Sequence, residues 1–161
     1  MKSWKLKDWM LLAASIIICQ AAGFIGSFFT ITGDRSWYAG LVRPSIAPPN
    51  WVFGPVWITL YFLMGISLFL VLRKGLKKTE NKVAVGLFGG QLVLNSLWSI
   101  LFFGIQSPSM AFIEIIILWL MILASMIAFY KIRKEAMYLL IPYILWVSFA
   151  ALLNYQFMML N

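Results

Sequence analysis

Long apolar runs, broken by short basic stretches and one proline-rich stretch, set the pattern of this chain. The runs fall near 9–31, 55–72, 83–105, 110–130 and 137–159. A helix needs about 20 apolar residues to cross the roughly 30 Å hydrocarbon layer of a bilayer, and each run is close to that length or beyond it. The pattern predicts an all-α membrane protein, a five-transmembrane-helix bundle that occupies residues 1–161 as a single domain. The first run follows Lys2, Lys5 and Lys7 as a signal peptide would, but it is longer than the apolar core of a signal peptide and no small-residue cleavage site follows it. Cys19 is not in a lipobox, and no internal repeat suggests an inverted-repeat transporter.

Composition agrees. The 161 residues are 63% hydrophobic and 11% charged, against about 45–50% and about 25% in soluble domains. One cysteine excludes an internal disulfide, and the absence of histidine removes the commonest metal ligand and general base, so no metal site is expected. The net charge of +8 does not form a nucleic-acid surface, because the basic residues lie between apolar runs. Eleven of the thirteen Lys and Arg residues fall on the N-terminal side of a five-span topology, and only Arg35 and Arg43 fall on the other. The positive-inside rule then predicts a multi-pass protein of the cell (plasma or inner) membrane, with its N-terminus cytoplasmic and its C-terminus outside.

Candidate chemistry gathers toward the outer half. The first loop carries Trp37, Tyr38, Arg43, Trp51, Phe53 and Trp57, and its prolines Pro44, Pro48, Pro49 and Pro55 stiffen it. Such a segment reads as a formed lid loop between helices 1 and 2, or as an interfacial belt of aromatic residues. In the third run Gln91, Asn95, Trp98 and Phe102 share one helical stripe, while Gly86 and Gly90 form a close-contact face elsewhere on the same helix. In the fifth run Tyr143, Trp146, Ala150, Leu153 and Asn154 share a stripe in which Ala150 leaves a gap fit for a flat ligand. Glu114 is the one acidic side chain inside a predicted span, which marks it as a functional candidate or as a neutral or Arg-paired residue, with Arg35 or Arg43 as partner.

These residues resemble the tryptophan-rich sensory protein family, whose mitochondrial members are called translocator protein or peripheral-type benzodiazepine receptor. The resemblance begins at Trp37-Tyr38-x-x-Leu41-x-x-Pro44-x-x-x-Pro48-Pro49-x-Trp51-x-Phe53-x-Pro55-Val56-Trp57. It continues through Gln91-x-x-Leu94-Asn95-x-x-Trp98-x-x-x-Phe102-Phe103 and Pro142-Tyr143-x-x-Trp146-x-x-x-Ala150-x-x-Leu153-Asn154. It implies a five-helix bundle, usually a homodimer, whose cavity is closed by the first loop and binds porphyrins, notably protoporphyrin, and synthetic isoquinoline carboxamide and benzodiazepine ligands. Carried onto this chain, the pocket would comprise Trp51, Phe53, Asn95, Trp98, Trp146, Ala150 and Leu153, and the dimer contact would lie near Gly86 and Gly90. Ala22 and Gly26 offer a competing contact face. The cholesterol-associated motif of mammalian relatives is incomplete, because no Lys or Arg follows Leu152 and Tyr155.

The residues and the resemblance together favour a binding and sensory protein for a flat hydrophobic tetrapyrrole. Aromatic walls would stack on the ligand, Asn95 would orient it, and Arg35 or Arg43 would meet its propionates. Porphyrin is expected as ligand rather than cofactor, in metal-free form, since no imidazole is present to ligate iron. The alternative is light-dependent porphyrin breakdown using Trp51 and Trp146. Small-molecule transport is a third reading, resting on Glu114 and Pro142.

Overall fold

In the computed structural model, which describes residues 4–161, Lys2 lies outside the described residues and every predicted span is a helix. The five helices long and apolar enough to cross a membrane are Leu6–Ser27, Asn50–Leu72, Thr79–Gly104, Pro108–Ile132 and Lys134–Leu160. The protein is therefore a multi-pass membrane protein, all-helical among the described residues. Its elements are α1 (Leu6–Ser27), α2 (Phe53–Leu72), α3 (Thr79–Ser99), α4 (Pro108–Ile132), α5 (Lys134–Tyr138) and α6 (Ile141–Leu160). Short 3₁₀ turns at Trp37–Gly40 and Asn50–Val52 shape the first loop, and a π-helical turn, Ile100–Gly104, extends α3. The fifth span is α5 and α6 in succession.

The first span stops at Ser27 rather than at residue 31. Hydroxyls close its end, with Ser27 Oγ donating to the Phe24 carbonyl (2.7 Å) and Thr30 Oγ1 to that of Gly26 (3.1 Å). Side chains of this kind satisfy carbonyls that a continuing helix would otherwise bond. The fifth span breaks at Leu139–Leu140 because Pro142, in the first turn of α6, has no N–H to give to the preceding turn.

α1 packs on α2 and α3, α3 on α4, α4 on α6, and α2 on α5. At the end of the bundle that carries most of the Lys and Arg residues, here the basic end, contact is close. A Cβ on Gly65 of α2 would stand 2.6 Å from the Ile16 Cα of α1, so only glycine permits this approach. Met64, Val71, Phe88, Phe129 and Leu140 fill the interior there, and the Phe88 and Phe129 rings stack at 5.3 Å. Hydroxyls tie the helices together: Ser67 Oγ donates to the Ala136 carbonyl (2.7 Å) and Ser96 Oγ to that of Ala22 (2.9 Å). The two described ion pairs, Arg73–Asp8 (3.0 Å) and Arg133–Glu135 (3.4 Å), also sit at the basic end.

At the opposite end the first loop folds over the helices. Tyr38 is only 5% exposed and packs on Phe102, Phe103 and Phe157, whose rings the π-helical turn and α6 deliver. Tyr38 thus belongs to a lid and not to an exposed aromatic belt. Burial raises the Tyr38 phenol above its usual range, and the Arg43 guanidinium partly offsets the effect. Arg43 lies 5.9 Å from the Tyr38 ring centre and donates from Nη2 to the Pro48 carbonyl (2.9 Å). That hydrogen bond helps to shape the loop. Asn161 fastens the lid to α6: its Oδ1 accepts from Val42 N–H (2.8 Å), and its Nδ2 donates to the Val42 (3.2 Å) and Phe157 (3.0 Å) carbonyls.

Candidate functional site

Beneath the lid lies a cavity of about 460 Å³, within the size range of small-molecule sites. All the spans contribute to it, with Phe53, Trp57, Trp98, Trp146, Ala150 and Leu153 among its walls. The indoles are built into edge and stacked contacts. Trp57 stacks on Tyr61 (5.5 Å, 29°), Trp98 on Phe102 (5.1 Å, 23°), and Phe53 meets Trp146 edge-on (5.8 Å, 70°). Ala150 keeps the space between these bulky neighbours open, as the fifth-run stripe predicts.

The floor is polar and hydrogen-bonded across three helices. Tyr61 Oη donates to Asn95 Oδ1, Asn95 Nδ2 donates to Tyr143 Oη (2.9 Å), and Tyr143 Oη donates to Gln91 Oε1 (2.7 Å). Asn95 lines the cavity as its stripe predicts, and each end of its amide also holds a tyrosine. Trp98 is similarly engaged, its Nε1 donating to Asn154 Oδ1 (2.9 Å) while Asn154 Nδ2 donates to the Pro108 carbonyl (2.8 Å). By contrast, the buried Trp146 Nε1 has no partner among the described residues. It is the one cavity-wall indole N–H left without a stated acceptor while buried, and buried donors are rarely left so.

Two expected residues are absent from the walls. Trp51 is 74% exposed and lies outside the cavity lining, because the 3₁₀ turn Asn50–Val52 directs Asn50 and Phe53 inward and Trp51 away. Glu114 is 5% exposed and buried behind the wall formed by Ile115 and Leu118, with neither carboxyl oxygen bonded. No arginine reaches it, so the Arg35 or Arg43 pairing is not formed. The two glycines of α3 also part company. A Cβ on Gly86 would meet open space, whereas one on Gly90 would meet Met121 of α4 at 3.8 Å, inside the same chain. Gly86 remains available to a second copy, and Gly90 is largely used within the protomer. Gly26, from the competing face, is buried against Ser96 and Ser99 of α3.

Sequence reasoning missed Tyr61 and the α1 contribution of Gln20, Gly23 and Phe24. Tyr61 stands one helical turn after Trp57, a spacing that places both on one face. The α1 residues gave no signal, since one glycine in an apolar run has many uses.

Comparison with known proteins places this arrangement. The model of the TspO/MBR family matches residues 15–160. The chain belongs to the TspO/MBR family. It is 46% identical to the Tryptophan-rich protein TspO of Chlorobaculum tepidum over 155 residues, covering 96% of this chain and 98% of that relative. It is 41% identical to the Translocator protein of Homo sapiens over 133 residues, covering 82% and 79%. The Tryptophan-rich sensory protein of Cereibacter sphaeroides is 32% identical over 154 residues, covering 96% and 93%. The matched residues include the aromatic side chains that build the lid and the cavity walls.

Proposed function

We propose that this TspO/MBR protein is a membrane binding and sensory protein for porphyrins, protoporphyrin foremost, and for other flat hydrophobic ligands of the isoquinoline carboxamide and benzodiazepine type. The observation that carries the reading is the lidded cavity with Trp57, Trp98 and Trp146 in its walls and a hydrogen-bonded floor. Such a site rewards planar aromatic surface, because each aromatic contact contributes roughly 0.5–1.5 kcal/mol beyond area burial. The polar side chains it offers a ligand include Thr30, Thr32 and Asn50. The names of the relatives, a translocator protein and a sensory protein, fit a binding role. The positive-inside rule orients the lid outward and the N-terminus to the cytoplasm, and Gly86 supplies the face for a homodimer.

Titrating the reconstituted protein with protoporphyrin while following tryptophan fluorescence tests the reading. Ala150→Phe fills the gap between the walls and lowers affinity at least tenfold without unfolding the bundle. Unchanged affinity in both Ala150→Phe and Trp146→Ala overturns it. Light-dependent breakdown of the bound porphyrin draws on the same indoles, with Trp146 rather than Trp51 at the ligand. An irreversible spectral change under light, absent in darkness and in Trp146→Phe, distinguishes it from binding alone.

A further inference from the structure

The walls of the cavity are not equally thick. On the sides of α3, α4 and α6 its lining residues are buried or half-buried, but on the side of α1 and α2 four of them, Phe24, Ser27, Gly54 and Ile58, are exposed. Phe24 is 65% exposed and Ile58 is 62% exposed, and both still line the cavity. The wall beside them is thus one side chain thick.

The backbone explains why the opening lies there. α1 and α2 run antiparallel and touch backbone to backbone at Gly65 and Ile16. Nearer the lid, Gly23 lies against the Tyr61 ring, and Gln20 Nε2 bridges the seam by donating to the Ile58 carbonyl (3.0 Å). Toward the lid from that bridge the lining is Phe24, Ser27, Gly54 and Ile58, and a Cβ on Gly54 would meet nothing within 4 Å. Helices that touch backbone to backbone in one half and carry the small, exposed Ser27 and Gly54 in the other leave a slot. Its lower edge is apolar, while its upper rim carries Thr30, Thr32 and Asn50. The lid does not cover this side, since its anchors, Tyr38 on Phe157 and Val42 on Asn161, lie over α3 and α6.

We infer that the slot between the lid-side halves of α1 and α2 is a lateral portal, through which an apolar or amphiphilic molecule dissolved in the bilayer enters the cavity without the lid opening. Its apolar edge matches the acyl layer and its polar rim the headgroup boundary, the depth at which flat amphiphiles reside. The inference deepens the binding reading by naming the phase from which ligands come, and it stands or falls on access alone.

The test uses the full chain in lipid vesicles with Cys19→Ala and Ala150→Cys, which leaves one thiol, inside the cavity. Labelling is followed with pyrenylmaleimide predissolved in the bilayer and with a charged, membrane-impermeant maleimide added to the water. The membrane-dissolved reagent is expected to label at least tenfold faster. Gly54→Phe, which grows a ring into the slot, is expected to slow that labelling at least fivefold, and Ser27→Leu repeats the obstruction should Gly54→Phe fail to fold. Asn161→Ala, which frees the lid from α6, is expected to change the rate less than twofold. Equal labelling from water, no effect of either obstruction, or acceleration in Asn161→Ala overturns the portal. Protoporphyrin titration of the same vesicles reports separately on the binding reading, so either can fail without the other.

Discussion

Gly23→Ala sets two effects of opposite sign against each other. In a helix interior alanine is favoured over glycine by roughly 0.5–1 kcal/mol, so an unobstructed site would gain stability. Here the added Cβ would stand 2.2 Å from Cε2, 2.6 Å from Cδ2 and 2.9 Å from Cζ of the Tyr61 ring. That ring is stacked on Trp57 at 5.5 Å and its hydroxyl is bound to Asn95, so any retreat toward the cavity disturbs both contacts. Forcing an extra carbon into such packing costs roughly 1–3 kcal/mol. Detaching the phenol from Asn95 adds about 0.6 kcal/mol, the average for side-chain hydrogen bonds in membrane bundles. The clash wins, and we expect a net loss of about 1–2 kcal/mol, near a tenfold shift in the folding equilibrium. Unfolding in mixed micelles, read by tryptophan fluorescence, measures it. The loss persists in a Tyr61→Phe background, which keeps the ring, and disappears in Tyr61→Ala, which removes it. A Gly23→Ala protein more stable than its parent, or an equal penalty beside Tyr61→Ala, refutes the reasoning.

Trp98→Phe keeps a ring beside Phe102 but removes the donor to Asn154, and the same unfolding assay is expected to show a loss of about 0.6–1.7 kcal/mol. Gly75 closes the turn after α2 at φ +86°, where a Cβ is strained, so Gly75→Ala is expected to destabilise by about 1–2 kcal/mol despite the open space around it. Asp8→Asn breaks the partly exposed pair with Arg73 and is expected to lower stability slightly, an effect that fades as added salt screens the pair in the parent.

The architecture was open to sequence reasoning because a bilayer imposes a minimum length on every span, and apolar length is a property that one sequence displays directly. The stripes of α3 and α6 were legible for the same reason: Asn95, Trp98, Trp146, Ala150 and Leu153 follow helical spacing, and the structure brings all five to the cavity. Trp51 and Glu114 were not legible. Trp51 sits in a 3₁₀ turn, where the direction of each side chain depends on loop geometry that no periodicity records. Glu114 shares a face of α4 with residues of the bundle interior, but spacing cannot separate a wall residue from one buried behind the wall. The state of Asn95 was hidden too, because its partners Tyr61 and Tyr143 come from other helices and meet it only in the folded bundle.

A hollow survives in this bundle because Tyr61, Asn95 and Tyr143 bond one another across its floor. Were Asn95 left with free amide groups, the cavity floor would draw in water or neighbouring side chains, since an unpaired polar group in a dry interior is costly. Tyr61 and Tyr143 remove that demand, and in doing so they pin α2, α3 and α6 together at one depth. On the basic side of that layer the helices close on glycine and interdigitated apolar side chains. On the lid side, aromatic pairs such as Trp57–Tyr61 and Trp98–Phe102 hold the walls apart at ring thickness. Stability and vacancy are thereby assigned to different halves of the same helices. Substitutions such as Ala150→Phe, on the vacant side, then alter what enters the protein with little effect on whether it folds, whereas a side chain added at Gly65 would part α1 from α2 and with them the slot's lower edge.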